Sequence, residues 1–169
     1  WKTDLPGLGW SSPSIAEGRI WLTTAVDGGK SLRVLCLNLT TGELIKDIEV
    51  FEKENPGKIH NKNSHASPTV LVSGDHLFVH YGRHGTACLK TDGTIVWKTV
   101  LEYEHRHGPG GSPVLYDDRL IINCDGTDKQ FVVALDKATG KELWNKPRGS
   151  EELGPGRMAY STPLLITNE

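Results

Sequence analysis

Apolar residues along this chain come in runs of five or six, broken by Gly, Asp and Ser-Pro rather than spaced at three and four as a helix would require. The clearest stretch runs from Ser112 to Trp144, where PVLYD, RLIINC, FVVALD and KELWN are separated by turns such as Asp117-Asp118 and Ala138-Thr139-Gly140. Rich in Val, Ile and Leu and bounded by turn formers, these four runs predict four consecutive strands. The near-continuous apolar character of FVVAL predicts a strand buried on both faces.

The same unit recurs. Ser12-Pro13, Ser67-Pro68, Ser112-Pro113 and Ser161-Thr162-Pro163 each open an apolar run, with prolines spaced 55, 45 and 50 apart. The turn glycines Gly42, Gly93 and Gly140 follow at 51 and 47, the period of a four-stranded propeller blade. The expectation is an all-β propeller of four-stranded antiparallel blades, with blades at about 11–52, 66–103 and 111–147 and end fragments at 1–10 and 148–169. Trp1-Lys2-Thr3 resembles Trp97-Lys98-Thr99, the close of a blade, and STPLLITNE reads as an opening strand. Three blades plus two remnants fall short of the four to eight that close a ring, so the remaining blades are expected from the parent chain or another subunit. Trp97 and Trp144, four residues after a turn glycine, are expected to pack between blades and donate their indole N–H. Lys46 holds the corresponding place in the first repeat.

With 37% apolar and 24% charged residues and a net charge of −2, the chain is weakly acidic. It carries no basic face suited to nucleic acid, and no apolar run long enough to span a membrane or form a signal-peptide core. The three cysteines do not make a disulfide framework. Cys36 and Cys88 share the repeat position of Ala134, which predicts buried thiols, and Cys124 ends a strand beside a loop.

Candidate chemistry collects at one end of the blades. Connections from the fourth strand of one blade to the first of the next hold His60, Asn63, His65, His105, Arg106, His107 and Arg157. Second-to-third-strand connections hold Arg83, His84 and Asp125. Both kinds emerge on one face, so five of the seven histidines share it, whereas the opposite turns carry glycines such as Gly18 and Gly74. Loops on a rigid scaffold are where binding residues concentrate; a polar loop histidine is also an ordinary surface hydrogen-bonding group. His105 with His107, and His60 with His65, offer imidazoles to a metal, with Asp125 as an oxygen ligand, though neither spacing is a zinc pattern. Arg83, Arg106 and Arg157 suit carboxylate or sulfate groups, or else brace neighbouring loops. His107-Gly108-Pro109-Gly110-Gly111 lacks the Lys-Ser/Thr and helix of a phosphate loop and reads as a close backbone approach. The Ser-Pro serines recur in every repeat, which marks them as structural.

The run ALDKATGKELW and the Ser-Pro openings resemble the pyrroloquinoline quinone (PQQ) type repeat of the quinoprotein alcohol dehydrogenase-like β-propellers. That superfamily includes quinone-dependent dehydrogenases and cofactor-free relatives such as the outer-membrane assembly lipoprotein. KIHNKNSHASPT, HGTACL and HGPGGSPVL are similar to exported bacterial PQQ-like repeat proteins. The resemblance implies an exported protein, periplasmic or secreted, acting without cofactor as a binding scaffold for a protein, glycan or anionic partner. An alternative it implies is part of a PQQ-dependent dehydrogenase with calcium, which would need an adjacent Cys-Cys pair and a carboxylate base; this chain contains no Cys-Cys pair. A third reading is a metal-assisted hydrolase using the histidines.

Overall fold

Runs of alternating burial become twelve strands in a computed structural model that describes residues 1–148 and 158–166. The first four are β1 (Ser14–Ala16), β2 (Arg19–Val26), β3 (Ser31–Asn38) and β4 (Leu44–Glu52). Next come β5 (Leu71–Ser73), β6 (His76–His80), β7 (Thr86–Lys90) and β8 (Ile95–Thr99). The last four are β9 (Val114–Tyr116), β10 (Arg119–Asp125), β11 (Gln130–Asp136) and β12 (Glu142–Pro147). Each set of four forms one antiparallel sheet in sequence order, and the three sheets are propeller blades.

Period-two alternation decides which blade interface each side chain enters. On β6 and the residue after it, Leu77, Val79 and Tyr81 join Trp21, Leu32 and Val34 of the first blade. Their neighbour Phe78 faces the other way, into Leu120, Ile122 and Val133 of the third. Cys36, Cys88 and Ala134 are all fully buried, where adjacent blades leave room only for a small side chain.

Each blade carries a bulge at one repeat position, between Cys36 and Leu37, Cys88 and Leu89, and Ala134 and Leu135. The extra residue lies on the outer strand and is Ile45, Val96 or Leu143, each 42–49% exposed. A bulge re-aims the residue beside it, and here the next residue points at the following blade. Trp97 lies over Gly140 of the third blade and donates Nε1–H to Lys137 O at 2.9 Å. Trp1 lies over Gly42 in the same way and donates to Leu39 O at 3.1 Å. Lys46 replaces the indole with an ammonium that donates to Asp92 O at 3.1 Å, the matching turn of the second blade. Trp144 is half-buried on β12.

A second set of ties runs along the Ser-Pro segments. Ser12 N donates to Thr69 Oγ1 at 3.2 Å, Thr69 N to Ser112 Oγ at 2.9 Å, and Ser112 N to Thr162 Oγ1 at 3.0 Å. Each repeat thus hydrogen-bonds to the next through the hydroxyls of Thr69, Ser112 and Thr162.

Candidate functional site

The two ends of the blades are built differently. Two-residue turns, Glu17-Gly18, Gly74-Asp75 and Asp117-Asp118, close the first hairpin of each blade at one end. The other end carries the long connections 53–70 and 100–113 together with the shorter 27–30, 81–85 and 126–129. Asn63 binds the two long connections together, donating Nδ2–H to His107 O at 2.9 Å and Pro109 O at 3.0 Å. His60 N–H adds a bond to His107 O at 3.3 Å. Asp128 Oδ1 accepts from Glu104 N, and Thr127 N donates to Glu104 O, fastening the third blade to the same surface.

Within this surface three histidines meet. His65 comes from connection 53–70, His84 from the tight turn after β6, and His105 from connection 100–113. His65 Nδ1 and His84 Nε2 are 3.1 Å apart in a buried hydrogen bond. The rings of His84 and His105 meet edge to face with centroids 5.4 Å apart. One nitrogen from each of the three lies within 4.8 Å of the other two. Both ring nitrogens of His105 are buried and bond to nothing. Burial, reinforced by neighbouring imidazoles and the Arg83 guanidinium, pushes His84 down to about 3; burial with Arg83 and His65 takes His105 to about 4. His65 is lowered by burial and Arg83. All three are therefore neutral at neutral pH, the form that ligates a metal.

Several sequence-based expectations are corrected here. His105 and His107 do not converge on one ion: the His107 ring turns away, its Nδ1 2.7 Å from Tyr160 Oη and its edge against His60. His60 is exposed and does not join His65. Asp125 is not placed as an oxygen ligand. Its buried carboxylate accepts from Arg148 Nε at 3.0 Å, from Arg148 Nη2, and from Ala159 N at 2.8 Å. Of the two roles open to Arg83 it has the bracing one, with Nη1 on Glu104 and Nη2 donating to Pro56 O at 3.3 Å. Arg106 is exposed and makes no ion pair among the described residues, and Arg157 lies outside them.

His80 and Tyr103 were not singled out from the sequence. His80 Nδ1 lies 2.8 Å from Thr86 Oγ1, and Nε2 lies 3.4 Å from Tyr103 Oη, both in the buried interface next to His105. The available signal was alternation, which turns His80 inward beside Phe78 with no loop to place it in solvent.

The adjacent Cys pair and the free carboxylate that PQQ with calcium calls for are not found among the described residues. The three cysteines sit singly on β3, β7 and β10, buried and unpaired. Asp125, the buried carboxylate among the described residues, is saturated by Arg148 and Ala159.

A family model described as outer membrane protein assembly factor BamB matches residues 33–167. No curated protein matches the chain. Among solved structures, the quinohemoprotein alcohol dehydrogenase ADHIIG of Pseudomonas putida HK5 aligns with a TM-score of 0.62 and 18% identity, over 92% of this chain and 23% of that one. The quinohemoprotein alcohol dehydrogenase of Comamonas testosteroni aligns at 0.59 and 14%, over 83% and 21%. BamB of Moraxella catarrhalis aligns at 0.56 and 20%, over 83% and 37%. The chain thus spans between a fifth and two fifths of these structures, and the likeness is one of fold.

Proposed function

Because the chain belongs to the PQQ-like β-propeller family of outer membrane protein assembly factor BamB, we propose that it is a binding scaffold of an exported protein, with its loop face receiving a protein, glycan or anionic partner. The observation that carries this reading is the inter-blade lacing of that face. Asn63 ties connection 53–70 to 100–113, and Asp128 and Thr127 tie the third blade to Glu104. A surface ordered before contact avoids the conformational entropy otherwise lost on binding. His60 and Arg106 stand exposed on it, with His107 half-exposed, as donors to an acidic or hydroxyl-rich partner. Protein partners are supported by the likeness to an assembly factor, and an exported location by the family's outer-membrane description. No described helix is long and apolar enough to cross a membrane.

The test uses the full-length parent protein in its native cell, with a photo-crosslinking residue at Lys62 or Arg106 on the loop face and at Glu43 or Asp118 on the opposite one. A shared adduct from the first pair, absent from the second, supports the reading. Adducts from the second pair alone, or stoichiometric uptake of PQQ with calcium, overturn it.

A further inference from the structure

We propose that His65, His84 and His105 form a three-imidazole site for a divalent transition ion, with zinc as the best-matched metal, joining the two long connections to the tight turn of the second blade. Three observations converge on these residues. The first is spacing. A tetrahedral zinc with Zn–N bonds near 2.05 Å holds its nitrogens about 3.3 Å apart. His65 Nδ1 and His84 Nε2 already stand at 3.1 Å, and no separation in the trio exceeds 4.8 Å. A movement of about 1.5 Å by the His105 ring completes the set.

The second is the unsatisfied chemistry of His105. Buried polar atoms are nearly always hydrogen-bonded, yet both nitrogens of this ring lack a partner. A metal supplies one, and the chamber of about 20 Å³ that His105 shares with His80, Tyr103, Asp125 and Tyr160, but not with His65 or His84, has room for about one water molecule to supply the other.

The third is how closely the backbone lets the rings approach. Gly29, at φ +97°, would place a Cβ 2.2 Å from His65 Cδ2, and Gly82, at φ +61°, would place one 2.8 Å from His105 Nδ1. Two of the three rings are therefore seated against glycines whose conformation a side chain disfavours. Arg83 and, at His84, Lys53 are the cations that act on the trio, and Glu104 pairs with Arg83.

Binding needs no net proton release. One proton bridges His65 Nδ1 and His84 Nε2 without metal; that ring moves it to its other nitrogen, and both facing lone pairs go to the ion. The site rests on loop geometry alone, so the absence of a partner for the loop face would leave it standing.

Chelator-treated protein is titrated with Zn²⁺ by calorimetry and with Co²⁺ by visible absorption. One equivalent of zinc and the intense visible bands of tetrahedral cobalt are expected. His84→Asn and His105→Asn should each weaken zinc binding about 100-fold or more and abolish the cobalt bands, whereas His107→Asn should leave both unchanged. Melting curves without metal establish that each variant is folded. His84→Gln, kept as a second variant, replaces His84→Asn if the latter melts early. Uptake below a tenth of an equivalent in wild-type protein overturns the proposal, and so does uptake that survives loss of His84 or falls with His107.

Discussion

Gly18 and Gly140 share a backbone φ of +71°, yet only Gly140 has a neighbour where a side chain would go. The pair therefore separates backbone strain from interblade docking. A methyl at Gly18 meets nothing within 4 Å, so Gly18→Ala carries only the left-handed penalty of about 1–2 kcal/mol, part of it offset by a stiffer unfolded chain. At Gly140 the new Cβ would sit 2.5 Å from Trp97 Cε3 and 2.7 Å from Cδ2, about 1 Å inside van der Waals contact. The indole must lift, breaking Nε1–H to Lys137 O and loosening a ring only 8% exposed. Overpacking adds about 1–3 kcal/mol and the lost hydrogen bond about 1 kcal/mol, so Gly140→Ala should cost about 3–6 kcal/mol in total. Urea unfolding followed by circular dichroism measures both variants. In a Trp97→Ala background, itself costing about 3–5 kcal/mol, the cost of Gly140→Ala should fall to that of Gly18→Ala. Equal costs for the two glycines in the wild-type background, or no coupling between Gly140 and Trp97, would refute the reasoning.

The fully buried His80, pushed down to about 3 by burial with the His105 ring adding to it, folds neutral, whereas the unfolded chain protonates it below about pH 6.5. Its contribution is complete above pH 6.5 and is lost as pH falls toward 3. By pH 5 the loss is about 2 kcal/mol, and His80→Asn should flatten the fall in stability between pH 6.5 and 4 by about one proton. An unchanged slope would count against this. Burial raises the thiols of Cys36, Cys88 (to about 11) and Cys124, so native protein should give no thiol titre with an aromatic disulfide reagent and three equivalents in urea. A fast-reacting thiol in native protein would refute that.

The fold was legible because the repeat writes the same local chemistry several times: strand-length apolar runs, Gly turns and Ser-Pro openings that bond blade to blade. The bulges were not legible, since Ile45, Val96 and Leu143 read as ordinary apolar strand positions until the pairing shows one residue too many. The face of each loop residue followed from strand direction alone. Which residues meet did not. His105 and His107 are two apart in sequence, a spacing that would aim both to one side of an extended chain; the bend at Arg106 and His107 breaks that alternation, so one goes inward to His84 and the other outward to Tyr160. Spacing in sequence carried no information about His84, whose partners arrive from loops 19 and 21 residues away on either side. For Arg83 bracing was a legible alternative but its partner Glu104 was not, and Asp125 was legible only as a charged loop residue, because Glu104 and Arg148 lie in other connections.

Superposing the repeats by strand register isolates one exception that lies beside this site. Thr23, His80 and Asn123 occupy the same position on β2, β6 and β10. Thr23 Oγ1–H reaches Ala66 O at 3.2 Å, and Asn123 Nδ2–H reaches Ser161 O at 3.1 Å. Both carbonyls sit one residue before the Ser or Thr of the next Ser-Pro segment, so this polar position serves as a tie between blades. His80 makes no such bond and turns to Thr86 and Tyr103 instead. Giving up a tie that the other two blades keep, in order to bury a neutral imidazole against a phenol, is a departure from local consistency of the kind that marks a functional region. It occurs at the interface that also holds His105, with its two unpartnered nitrogens. The second blade shares the interblade scaffold of its neighbours, and its departures from the repeat collect at one end of β6, where His80, His84, Tyr103 and His105 meet.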